Sequence, residues 1–392
     1  MFRNTRWLVL LSLAVIVLVA LAACAPAPTP APTAAPPTAA PAAPTAAPAA
    51  ATKAPAPAGK VPVGIVLPTK DEPRWLQDLA VFQKAGYDAL FSQGDSAKEK
   101  ANVETLISQG IKVLIICPQD GKAAAAAADE AAAAGIKVIS YDRLILNTKS
   151  VDYYVTFDSI AVGEAWGTYL IQQAGTTKGN NLYLYAGAAS DNNAFIFFQG
   201  AWNKLQPKIA DGTFVIKNSS EAVAVQAKPT LTRDEQSKII AQVTTNWDFN
   251  VAKTLAESNL TKAAAADKGT VFIVAPNDGT ARSIADAFAA DKAVTKYYIT
   301  GQDAEIASVQ YIIDGKQSMT VLKDVRTLAA DALTAAAAFV AGQTPTKTNT
   351  YNNGTIDVPA KPSAIVTVTN ANVKAAIVDS GYIAASALKG LQ

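Results

Sequence analysis

Hydrophobic and polar positions along this chain change rhythm twice. Trp7 to Ala23 is almost unbroken apolar sequence behind a positive start at Arg3 and Arg6. Ala25 to Gly59 is built almost wholly from Ala, Pro and Thr. From Val61 onward, short β-rich apolar runs alternate with longer amphipathic stretches. This third region predicts strands at 61–67, 87–93, 113–117, 137–141 and 153–157. Helices are predicted between them at 74–85, 97–109 and 122–134, with Gly135 at a helix C-cap. The rhythm then restarts. Strands are expected at 182–186, 214–217, 270–275, 297–300, 318–322 and 364–368, and helices at 194–205, 233–244, 280–290, 306–314, 326–341 and 371–379.

Repeated βαβ units imply parallel sheets with helices on both faces. The strands are too many for one ordinary doubly wound sheet. The expected fold is therefore α/β, with two similar Rossmann-like domains.

The first two regions stand outside that fold. The apolar run ends Leu21-Ala22-Ala23-Cys24, which resembles a bacterial lipobox. There a signal peptide is cut before a cysteine that carries lipid, and acyl chains hold to a membrane at about 0.8 kcal/mol per buried methylene. An uncleaved membrane anchor is the alternative, since the run is near the lower length for spanning. Either way the rest of the chain is expected outside the cytoplasm. The 25–59 segment holds 11 of the chain's 21 prolines and has little to bury. It is expected to be a disordered, semi-stiff tether.

Composition narrows the chemistry. The 392 residues contain no histidine, which removes Ser-His-Asp and Cys-His catalysis, His-ligated metals and imidazole pH switches. A net charge of +2 offers no broad basic field for nucleic acid. Of the two cysteines, Cys24 is the expected lipidation site. Cys117 lies in an apolar strand and is expected to be inert.

In parallel sheets, ligands bind beyond the carboxyl ends of the strands. Polar residues recur there in both halves of the chain. They include Pro68 to Trp75, Tyr141-Asp142-Arg143, Ser190 to Asn193, Asn277-Asp278, Gly301-Gln302-Asp303 and Lys323-Asp324. Any one of them alone reads more simply as a helix N-cap, a core tryptophan or a solvated loop. Recurrence along one edge points instead to a sugar. Carboxylates accept from hydroxyls, Arg and Lys donate, Asn amides do both, and Trp faces pack on aliphatic C–H groups.

The set Arg74-Trp75, Tyr141-Asp142-Arg143, Phe157-Asp158, Asp191-Asn192-Asn193, Asn277-Asp278, Gly301-Gln302-Asp303-Ala304 and Lys323 resembles the periplasmic sugar-binding proteins of ABC importers. The D-xylose-binding proteins and the multiple-sugar-binding proteins, which take glucose, galactose and arabinose, are the most similar. The resemblance implies two lobes joined by a three-strand hinge, with a monosaccharide in the cleft. It implies an N-terminal lobe of 60–158 and 324–360 and a C-terminal lobe of 159–323 and 361–392, preceded by a signal peptide (1–23) and tether (24–59). It assigns Arg74, Trp75, Asp142 and Arg143 to ligand contacts from the first lobe. Asn193, Trp247, Asn277, Asp303 and Lys323 contact it from the second lobe and hinge. Trp75 and Trp247 would sandwich the ring, although Thr244 to Asn250 matches only loosely. The expected protein is a monomer that binds D-xylose or D-glucose, with no cofactor and no metal, and meets a membrane permease. A module presenting sugar to a chemotaxis or signalling partner is the alternative.

Two other classes fit less well. A LacI-type regulator shares the fold but needs an N-terminal helix-turn-helix, where this chain has a signal and tether. A glycosidase needs a raised-pKa acid, whereas these carboxylates alternate with Arg, Lys and Asn.

Overall fold

The computed structural model describes residues 62–391. The expected signal peptide, the expected lipidation site Cys24 and the expected tether lie outside the described residues. None of the described helices is long and apolar enough to cross a membrane.

One sheet is built from β1 (Val63–Leu67), β2 (Leu90–Phe91), β3 (Val113–Ile116), β4 (Lys137–Tyr141), β5 (Tyr153–Phe157), β11 (Asn349–Asn352) and β12 (Asp357–Ser363), in the order β11-β12-β5-β4-β3-β1-β2. Its central strands are apolar at successive positions because helices cover both faces; β3 is fully buried. A second sheet runs β7 (Phe214–Ile216), β6 (Asn180–Leu184), β8 (Gly269–Val274) and β9 (Val294–Ile299), all parallel. β10 (Met319–Leu322) and β13 (Val366–Thr369) form an antiparallel pair. Backbone bonds from Ser318 N to Ile299 O (3.3 Å) and from Val321 N to Gly301 O (3.1 Å) tie that pair to the end of β9.

The chain passes between the two halves three times. It leaves β5 through Asp158, the N-cap of α4 (Ser159–Ala174). It leaves β10 through Lys323 and Asp324, the N-cap of α11 (Val325–Val340), which packs on β4 and β5. The third passage runs from β12 to β13.

The alternation of strand and helix was legible, and several details differ. β2 is two residues long because Gly86 (φ 88°), Gln93 (φ 56°) and Gly94 (φ 77°) turn the chain at both ends. The helix expected at 122–134 begins only at α3 (Ala125–Ala133), because the Asp120 side chain holds the N–H groups of Lys122 and Ala123 in a turn. The first sheet is mixed rather than purely parallel, since β11 pairs antiparallel with β12. The late helix is a π-helical turn at Lys374–Asp379. Helix α5 (Asn192–Ala210) overruns its expected end and carries Pro207 inside it.

Helices α4 and α8 (Phe249–Lys262) were not expected. α4 is wedged by its apolar faces against α5 and the second sheet, and Glu164, Thr168 and Gln172 form its one polar stripe. Glycines set that wedge. A Cβ at Gly163 would lie 1.9 Å from Phe197 O, and one at Gly200 would lie 2.2 Å from Ile160 O, so the two backbones nearly touch. Gly163→Ala should therefore force the helices apart and lower stability by at least about 1–3 kcal/mol. A urea midpoint unchanged from wild type would contradict this contact.

Candidate functional site

One pocket lies between the two halves at the carboxyl ends of the strands, enclosing about 280 Å³ of space that is partly open to solvent. Its own side chains, paired with one another, fill most of it and leave a free cavity of about 20 Å³. All nine residues picked from sequence line it: Arg74, Trp75, Asp142, Arg143, Asn193, Trp247, Asn277, Asp303 and Lys323. Four others join them that the sequence reading did not select: Glu72, Asp191, Phe197 and Gln302. Three of these sat inside motifs already quoted. Phe197 could have been found from helix period, because it follows Asn193 by four residues on α5.

From the first half, Arg74 projects from the first turn of α1 (Pro73–Lys84), started by Pro73. Its guanidinium meets three carboxylates: Asp78 at 2.7 Å, Asp142 at 2.9 Å and Asp303 at 3.2 Å. Tyr141 Oη donates to Asp78 from behind. Burial works against the charge, but these acids outweigh it and raise the guanidinium well above its ordinary range. Burial would raise the Asp142 carboxyl, but Arg74 and Lys323 outweigh it and hold Asp142 below the usual carboxylate range. The guanidiniums of Arg74 and Arg143 lie 4.9 and 5.1 Å from the Trp75 ring centroid, fixing that indole.

Asp142 has a left-handed backbone (φ 59°), a conformation that usually needs a compensating contact. Three donors hold its carbonyl: Tyr154 Oη at 2.7 Å, Asn193 Nδ2 at 2.9 Å and Thr156 Oγ1 at 3.1 Å. Asn193 belongs to the other half, so its amide both lines the cavity and clamps Asp142.

From the second half, Asp303 (φ 100°) and Trp247 (φ 61°) are also left-handed. Lys323 Nζ sits 2.8 Å from Asp303 and about 5.5 Å from the Phe197 ring, measured as 5.5 Å to its centroid. Asn277 is the N-cap of α9 (Asp278–Ala290), accepting from Thr280 N at 3.2 Å, which leaves its Nδ2 group as a donor for the cavity. The bland N-cap reading and the site reading are thus both satisfied by one side chain. Trp247 Nε1 and Gln302 Oε1 are buried and carry no hydrogen bond to the described residues. Gly187 lets the Trp247 indole lie against the main chain, since a Cβ there would come 2.0 Å from Cζ2.

The remaining acids lie against Arg143, which pairs with Asp191 at 3.1 Å and reaches Glu72 at 3.5 Å. Burial pushes the Glu72 carboxyl up to about 7, against the pull of Arg143. Five acids, Glu72, Asp78, Asp142, Asp191 and Asp303, thus meet three cations, Arg74, Arg143 and Lys323, and protonation of Glu72 narrows that excess. The folded form then holds a proton on Glu72 that the unfolded chain gives up near 4.5. Its stabilisation is complete below pH 4.5 and is lost as pH rises through about 7. Glu72→Gln abolishes this titration, so its stability relative to wild type should climb across that window. Parallel stability–pH curves would count against it.

Cys117 is buried and unoxidised, and burial pushes its thiol well above the ordinary range, so it is not a nucleophile.

Two sheets meeting at a cleft lined from both sides define a two-lobed binding protein. Residues 63–344 match the family described as periplasmic binding protein domain, and the chain belongs to that family. It is 35% identical to the multiple sugar-binding periplasmic receptor ChvE of Rhizobium radiobacter, over 83% of this chain and 92% of that protein. It is 29% identical to the D-xylose-binding periplasmic protein of Escherichia coli, over 82% of this chain and 90% of that protein. Among solved structures, a carbohydrate transporter solute-binding protein from Chloroflexus aurantiacus, in complex with D-glucose, is 69% identical with a TM-score of 0.84, covering 86% of this chain and all of that one. A solute-binding protein from Clostridium phytofermentans with bound β-D-glucose is 31% identical with a TM-score of 0.74, covering 83% and 99%.

Proposed function

We propose that this protein is an extracytoplasmic solute-binding protein that captures one monosaccharide and hands it to an ABC importer. D-glucose is the leading ligand and D-xylose the next. The observation that carries this reading is the lining itself. Charged donors, charged acceptors, amides and two indoles converge from both halves on one pocket, where buried acids and cations already pair with one another, a lining suited to a neutral polyhydroxylated guest. The 69% identity to a protein held in complex with D-glucose supports the same choice.

In the proposed mechanism, Trp75 and Trp247 cover the faces of the ring. Asp142 and Asp303 accept from its hydroxyls, and Arg74, Arg143, Lys323 and Asn277 donate. The lobes close by rotation about the three connecting segments, and exclusion of water strengthens the polar bonds. No covalent step takes place. Cys24 carries the lipid, and the 25–59 tether keeps a monomeric receptor near its permease. Cys24→Ser should release the protein from the membrane fraction; a variant that stays there is anchored otherwise.

The central test is a thermal-shift panel of D-glucose, D-xylose, D-galactose, L-arabinose and myo-inositol. A ligand at 100 times its Kd should stabilise the fold by about 2.7 kcal/mol. D-glucose should give the largest shift and be recovered unchanged. A panel with no shift would reject the reading.

A further inference from the structure

Asp278 follows the cavity-lining Asn277 but is not itself in the lining, and no part of it reaches solvent. Its carboxyl is spent on the turn that carries Asp303. Oδ2 accepts from Glu305 N at 3.0 Å, and Oδ1 accepts from Gln317 Nε2 at 2.8 Å. Its main chain makes two more bonds: Asp278 N donates to Gln302 O at 3.0 Å, and Ser308 Oγ donates to Asp278 O at 3.3 Å. Gly301 allows the approach, because a Cβ there would meet Asp278 Oδ1 at 2.4 Å. The turn so held contains two consecutive left-handed residues, Asp303 (φ 100°) and Ala304 (φ 50°). Such backbone persists only where its surroundings over-determine it.

We propose that Asp278 is a positioning residue for ligand capture, pinning the 301–305 turn in the geometry that presents Asp303 to the cavity. This rests on the reading of Asp303 as a sugar contact.

The charges around Asp278 make it an unusual pin. It faces Glu305 at the start of α10 (Ile306–Ile313), Asp303 in the turn, and the neutral Gln317 and Thr320 at β10. The one arginine nearby, Arg282 of its own helix, pairs with Glu305 at 2.7 Å. No cation contacts Asp278 among the described residues. Burial, then Glu305 and Asp303, push its carboxyl well above the ordinary range, which disfavours its charged form. A carboxyl so placed, out of contact with Arg74 and Lys323, organises the turn without competing with Asp303 for them. Asp303 remains the negative group that those cations and the guest meet.

The test is calorimetric titration of D-glucose into the whole protein at pH 7. Asp278→Ala should weaken binding at least ten-fold while keeping a cooperative melt. Asp278→Asn keeps one accepting oxygen and loses the other, so its affinity should fall between those of wild type and Asp278→Ala. The indole N–H of Trp166 donates to Gly301 O at 3.0 Å and supplies a reporter: its NMR resonance should move in Asp278→Ala and move less in Asp278→Asn. If Asp278→Ala does not fold, Gln317→Ala removes one of the two side-chain bonds, and a loss of several-fold is expected with the melt intact. Binding by Asp278→Ala within two-fold of wild type, or by Gln317→Ala where the alanine variant is unfolded, overturns the inference. So does an Asp278→Asn that binds as poorly as Asp278→Ala. Asp303→Ala run beside them keeps the two readings apart. If it loses binding while Asp278→Ala does not, only the pin falls. If wild type binds no sugar of the panel, the reading of the site falls first.

Discussion

Asp303→Ala should cost about 2–5 kcal/mol in D-glucose affinity, a loss of roughly 30- to 5,000-fold. The size follows from what the carboxylate leaves behind. Arg74 lies 3.2 Å from it and Lys323 2.8 Å, and the two cations expose only 3% and 5% of their side chains. Without Asp303, Lys323 keeps no ion-pair partner among the described residues. In the proposed complex the guest would also lose its acceptor on this wall, so truncation removes a bond and strands a buried charge together. Isothermal titration at neutral pH measures this directly. Affinity within a factor of two of wild type would remove Asp303 from the site.

The largest effect on folding is expected from Arg74→Met, at about 3–5 kcal/mol at pH 7. Methionine fills much of the same volume but answers none of the three carboxylates. Asp78, Asp142 and Asp303 would be left almost wholly buried, with Lys323 in contact with only the last. The penalty is electrostatic, so its pH dependence has a definite sign. Arg74 helps hold Asp142 below the usual carboxylate range; without it that carboxyl takes up a proton more readily. The gap between variant and wild type should therefore narrow as pH falls, in urea melts from pH 7 to pH 4. A gap constant with pH would mean that lost packing, not unpaired charge, sets the cost.

The elements of the fold were largely legible where one periodicity dominated. β3 and β4 appear as expected because their apolar residues closely follow clear turn signals, Gly110 before β3 and Gly135 before β4. α4 was missed although Glu164, Thr168 and Gln172, spaced by four, mark a narrow polar face along it. β11 was hidden because it is a short, exposed edge strand whose pairing with β12 is set by tertiary contact.

For the site, strand-end chemistry marked the edge, and the resemblance to sugar-binding proteins assigned nine residues that the fold brings to one pocket. The reason is physical: in α/β units the strand ends are where side chains can face a ligand, and strand ends can be read from hydrophobic pattern. The amino-acid sequence thus determined the α/β class, the edge that carries the chemistry, and which residues are there. Only the tertiary structure decided how they are held. Asp142, Trp247 and Asp303 take left-handed backbones that no local pattern announces. Their supports come from far along the chain: Asn193 to Asp142 O, Gly187 beneath Trp247, and Asp278 under the 301–305 turn. Backbone strain of this kind is stable only when distant groups supply hydrogen bonds and leave room, and those groups meet only once both sheets are packed.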